Sequence, residues 1–134
     1  MGNWIPGDPT LVAEILKVSS AYAPPPPEGF VSPMTWGVES HVVERFAGAG
    51  IPREQIEFAR DTWVFNFQGT PSQFVGEFRD YYGPTMNAFD AASKDGKADD
   101  LFKELEALFQ SQNKSGDKAV TSIPATFLRV TVRR

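Results

Sequence analysis

The sequence predicts an α+β fold in which two long antiparallel strands are covered by four or five helices. Three observations lead there. Residues 56–68 and 119–133 read as strands, and the long helical stretch between them rules out a tight hairpin. Apolar residues elsewhere recur at helical spacing. The composition, 41% hydrophobic, 13% aromatic and 22% charged, is that of an ordinary globular domain. A two-stranded sheet is marginal by itself, so the helices must cover it. One domain spanning 1–134 is expected at this length.

The first helix should run from about Pro9 to Tyr22. Asp8-Pro9 supplies a capping residue and a proline suited to the first helical position. Leu11, Ile15, Val18 and Tyr22 then mark one face. Pro24-Pro25-Pro26-Pro27 stops it, acting as a stiff connector or as a docking site for a proline-binding module. Phe30 to Gly37 is irregular, and Trp4 and Trp36 both fall in loops. A shorter helix spans about Val38 to Ala47 and ends at Gly48-Ala49-Gly50. Those glycines follow a helix and precede a strand, the reverse of a nucleotide-binding turn.

In the strand Ile56 to Gln68, Ile56 and Phe58 share one parity, while Trp63, Phe65 and Phe67 share the other. The switch near Arg60 implies a bulge, or a strand buried on both faces over part of its length. Thr70 or Ser72 is the candidate cap of a third helix carrying Phe74, Phe78, Tyr81 and Tyr82. Gly83-Pro84 breaks that helix, and a second segment resumes to about Ala92. Leu101, Leu105, Leu108 and Phe109 then give the plainest helical pattern in the chain. The last strand spans about Ala119 to Arg133, with Pro124 as an interruption.

Charge and residue counts exclude several functions. Thirteen Lys and Arg against 17 Asp and Glu leave a net charge of −4, unsuited to non-specific nucleic-acid binding. Cysteine is absent, and His41 is the single histidine, so a thiolate nucleophile, a Cys-based zinc site and a multi-histidine metal site are all out of reach. No apolar run approaches the ~20 residues of a membrane helix. Met1-Gly2-Asn3-Trp4-Ile5-Pro6 has no basic or apolar leader pattern, which points to a cytoplasmic protein. No catalytic constellation is visible. Isolated carboxylates such as Glu14, Glu44 and Glu77 read as solvated faces. The aromatics at loops and helix ends (Trp4, Trp36, Tyr81 and Tyr82) are either pocket walls or core.

Several segments, in order along the chain, resemble the C-terminal part of class I S-adenosylmethionine-dependent methyltransferases of the ubiquinone/menaquinone-biosynthesis-like group. These are Asn3-Trp4-Ile5-Pro6-Gly7, the tetraproline with Ser32-Pro33-Met34-Thr35-Trp36-Gly37, and Phe65-Asn66-Phe67 with Phe74-Val75-Gly76-Glu77-Phe78-Arg79. Tyr81-Tyr82-Gly83-Pro84-Thr85 and the ending Phe127-Leu128-Arg129-Val130-Thr131-Val132-Arg133-Arg134 complete the set. The resemblance implies a substrate pocket lined by Trp4, Trp36, Tyr81 and Tyr82, with the Thr85 hydroxyl orienting a polar group.

The sequence departs from the family in lacking the Gly-rich loop and the acidic residue that hold the cofactor. The expectation is therefore a substrate-side portion that binds no cofactor alone. Given a cofactor half, it would take part in methyl transfer from S-adenosylmethionine to a small molecule. In the family fold the last strand lies between the fifth and sixth. Without the fifth, one edge of 119–133 should be exposed and should recruit a second copy, as a homodimer, or a partner chain. The rival readings are a stand-alone small-ligand binder and a pure interaction domain.

Overall fold

The computed structural model describes residues 1–133; Arg134, the end of the last resembling segment, lies outside them. Among the described residues the fold is α+β, with five α-helices and a three-stranded antiparallel sheet. In chain order come β1 (Gly2–Trp4), α1 (Leu11–Tyr22), a short 3-10 turn (Pro33–Gly37), α2 (Glu39–Gly48) and β2 (Ile56–Phe67). These are followed by α3 (Pro71–Tyr81), α4 (Gly83–Lys94), α5 (Ala98–Gln112) and β3 (Thr121–Val132). The strand order is β1-β3-β2, so the last strand is central.

The sheet therefore has three strands rather than two. Gly2–Trp4, expected to be loop, pairs with β3 in the register Gly2↔Arg129, Asn3↔Leu128 and Trp4↔Phe127. This corrects the exposed edge expected on 119–133. Along that edge Val130 N–H donates to Met1 O, and the Met1 ammonium donates to Val130 O, both at 2.8 Å. Thr126 N–H donates to the Thr10 hydroxyl, and Ser122 N–H to Asn113 Oδ1, each at 2.8 Å. Pro124 has the same parity as these residues, so its missing N–H falls on this side and costs the β2 ladder nothing. The strand consequently runs through Pro124 without interruption. Among the described residues, the edge strands are β1 and β2, and on β2 Trp63 and Val64 are exposed.

β2 and β3 pair one-to-one from Ile56↔Val132 to Phe67↔Thr121, with no bulge. The parity switch has the other cause. Phe65 and Phe67 pack with Ile123 and Ala125 on one face, in a core closed by α1, α3, α4 and α5. Ile56 and Phe58 pack with Leu128 and Val130 on the other face, against Ile5 and Val42. Each half of β2 is covered on the opposite side, so its apolar parity must change midway.

Local sequence explains the helix ends. Asp8 does not cap α1. Its carboxylate accepts from Thr10 N–H at 2.9 Å, and Thr10 is the N-cap residue. Thr70 caps α3 in a reciprocal box with Gln73. Tyr82 ends α3, and Pro84 sits in the first turn of α4, where its missing N–H is harmless. The tetraproline is exposed and carries no regular element. No helix among the described residues is long and apolar enough to cross a membrane.

Candidate functional site

Two cavities share a wall formed by Trp4 and Tyr82. β1 places Trp4 opposite Phe127, with the rings edge-to-face at 6.2 Å. The α3–α4 break places Tyr82, whose ring meets Phe78 edge-to-face at 5.4 Å. The smaller cavity, about 260 Å³, is walled mainly by Val12, Phe65, Phe74 and Phe78, with Glu77 and the exposed Tyr81 also lining it.

The larger cavity, about 500 Å³, flanks β1. Gly2, Asn3 and Trp4 line it from β1, Leu16, Ser19 and Ser20 from α1, and Phe30, Ser32, Pro33 and Met34 from the loop and 3-10 turn. Tyr82, Pro84 and Asn87 close it from the α3–α4 junction. No charged side chain lines it. Ser19 on its wall is 3% exposed, and its hydroxyl is buried without a hydrogen-bond partner. A concave, largely apolar site with a few placed polar groups suits a small molecule. A third opening, at the β2 edge beside Glu39, Arg53 and Arg129, has no orphaned polar atom.

Of the residues singled out from sequence, the structure brings Trp4, Tyr81 and Tyr82 together. It does not bring Trp36 to them. Trp36 packs on the opposite face of the sheet, edge-to-face with Phe46 at 6.2 Å, with the Arg45 guanidinium 4.5 Å over its ring. Thr85 is fully buried, and its hydroxyl has no partner, yet it lines neither cavity. Sequence reasoning missed Asn3, Ser19 and Asn87 because single polar residues carry no periodic signal. Ser19 on an otherwise apolar helix face was the available clue. His41 is exposed on α2. No group of three or more metal-ligating side chains exists among the described residues.

Burial raises the Tyr82 hydroxyl pKa above the ordinary 10.0, opposed by the neighbouring Trp4 indole. The neutral phenol is therefore the form that the fold favours. The resulting stability is fully present below pH 10 and is lost as pH rises through the folded-state value. A 295 nm absorbance titration, wild type minus Tyr82→Phe, should place this hydroxyl above 10; a midpoint at or below 10 would contradict the burial.

These residues do not fit S-adenosylmethionine. Holding it requires a glycine-rich turn between a strand and a helix, approached closely by the cofactor. Gly7 is the one positive-φ glycine in such a place, at φ 76° between β1 and α1. A Cβ there would meet nothing within 4 Å, and the Asp8 carboxylate already occupies the Thr10 N–H. Comparison with protein-family models, curated proteins and solved structures returns no match.

Proposed function

We propose that this chain is the substrate-binding portion of a methyltransferase-like protein and is not catalytic alone. With a cofactor-binding half supplied, the reaction would be methyl transfer from S-adenosylmethionine to a small molecule held beside Trp4 and Tyr82. One observation carries this reading. Three segments that resemble the methyltransferase family, far apart in sequence, converge as walls of one cavity: Asn3-Trp4, Ser32-Pro33-Met34 and Tyr82-Gly83-Pro84, the last through Tyr82 and Pro84. The antiparallel pairing of β3 with β2 supports it further, because the family resemblance puts the last strand beside the sixth.

The chain's own residues supply shape, desolvation and orientation. Trp4 and Tyr82 offer flat apolar surface, and the neutral Tyr82 hydroxyl brings no charge to the site. Isothermal titration with S-adenosylmethionine should show no micromolar binding by this chain. A thermal-shift screen of small aromatic and carbonyl compounds should find ligands whose effect is lost in Tyr82→Ala and kept in Trp36→Phe. Micromolar cofactor binding, or ligands indifferent to Tyr82, would overturn the proposal.

A further inference from the structure

We infer that this chain forms a two-fold dimer by pairing the free edge of β2 with the same edge of a second copy, antiparallel and centred on Trp63. The inference is independent of the cavities and of the proposed function. It starts from which backbone groups β2 leaves unpaired. The Ser122, Thr126 and Val130 N–H groups of β3 point away from β2, to Asn113, Thr10 and Met1. The alternate, odd-numbered residues of β3 therefore serve the β2 ladder, and by register their partners in β2 are odd-numbered too. Arg60, Thr62, Val64 and Asn66 turn N–H and C=O outward. Their side chains agree, because non-hydrogen-bonded pairs approach closely. The Thr62 and Thr126 hydroxyls are 3.1 Å apart, and the Ser122 hydroxyl donates to Asn66 Oδ1 at 2.9 Å.

Native edge strands are commonly blunted by a bulge, a proline or a lysine, and β2 has none of these. β1, the other edge, is only 3 residues long, and the turn Pro33–Gly37 packs against Trp4 O. The free stretch of β2 has defined limits. At its start the Arg53 guanidinium donates to Ile56 O and lies 4.9 Å over the Phe58 ring. At its end the strand stops at Phe67. The groups left between, from Arg60 to Asn66, have Trp63 as their midpoint. An antiparallel pair centred there satisfies all of them, setting Arg60 opposite Asn66 and Thr62 opposite Val64 of the second copy. Centring on Arg60 or Asp61 would put like charges opposite each other. Centring on Thr62 would set Asn66 opposite Phe58, where Arg53 lies, and centring on Val64 would carry Arg60 past the strand end. The chosen register brings Trp63, 61% exposed in the single chain, against its own copy in a non-hydrogen-bonded pair, the position where cross-strand aromatic rings meet best. Asp61, paired with Arg129 at 2.7 Å, falls opposite Phe65 of the second copy and meets no like charge.

An interface this small belongs to the weak class, so half-dimerisation is expected at about 10–100 μM. Unfolding measured at or below about 1 μM therefore reports the monomer. Sedimentation equilibrium of the full chain at about 300 μM should show a dimer. Val64→Pro removes an outward N–H and leaves the β3 ladder intact, so it should give a monomer with unchanged far-ultraviolet circular dichroism. Trp63→Lys, which sets two cations opposite each other, should weaken association by at least about tenfold and decides the matter if Val64→Pro fails to fold. Register is read by cross-linking, since the chain has no cysteine. Cysteines in a non-hydrogen-bonded pair lie about 4.5 Å apart at Cα, within disulfide reach. Trp63→Cys should therefore form a disulfide-linked dimer under mild oxidation. Asn66→Cys, separated from its own copy by six residues or about 20 Å of strand, should not. A monomer at about 300 μM would overturn the inference. So would a dimer that survives both Val64→Pro and Trp63→Lys, which would place the contact on another surface. Cross-linking at 66 rather than 63, or at neither, would overturn the register and the inference with it.

Discussion

Replacing Phe109 by alanine is expected to cost the fold about 3–5 kcal/mol, the range for removing a large buried aromatic. Phe109 is 0% exposed and projects from α5 into the centre of the helical layer. Its ring meets Phe74 and Phe78 of α3 edge-to-face, each at 5.5 Å. Phe74 in turn stacks on Phe67 of β2 at 4.8 Å, so one side chain links α5 through α3 to the sheet. Alanine removes two aromatic pairs and leaves a void between helices too regular to collapse onto it. Against a typical stability of about 5–15 kcal/mol, the variant should be folded but marginal. Urea unfolding checks this, with Trp63→Ala as the control. Trp63 is 61% exposed, and its loss should change stability by less than about 0.5 kcal/mol. A Phe109→Ala cost below about 1.5 kcal/mol would mean that α5 is not anchored through this ring.

Helix α5 was legible in the sequence because Leu101, Leu105 and Phe109 repeat at the helical period, and all three are fully buried. α1 and α3 were legible for the same reason, with proline chemistry marking where each stops or starts. β1 was not. Three residues hold no period, and Gly2–Trp4 becomes a strand only because residues 127–129 lie beside it. The free-edge expectation failed on that one missed element. Pro124 misled in a related way. A proline argues against a central strand unless its absent N–H faces away from the ladder, and parity alone could not say which side β1 would occupy. At the site, Trp4 and Tyr82 were visible as aromatics at loop and helix ends. The misplacement of Trp36 has a simple cause: the sheet separates it from Trp4, and no spacing along the chain encodes a face of a sheet.

The second large effect is expected at Gly37, where fold and site meet. A Cβ added there would lie 1.9 Å from Trp4 O, 2.8 Å from Trp4 C and 3.1 Å from Ile5 Cα. All three are backbone atoms, so no rotamer change relieves the overlap. Either the turn Pro33–Gly37 or β1 must move, at a cost of about 3 kcal/mol or slightly more for overpacking against a paired strand. Gly37→Ala should therefore act locally first. Amide exchange at Leu128 and Val130, whose neighbours are Asn3 and Met1, should accelerate strongly, while Leu105 in α5 stays protected. Gly76→Ala is the matched control. It sits within α3 with nothing within 4 Å of the new methyl group, and should stabilise by roughly 0.5–1 kcal/mol. The same displacement reaches the cavity, because β1 and the turn supply facing walls of it. Gly37→Ala should consequently weaken the binding of ligands that depend on Tyr82, even where the helical core remains folded. Retained binding with a released β1 would show that Asn3 and Trp4 do not form the site. An unchanged exchange rate at Val130 would show that the turn, not the strand, gives way.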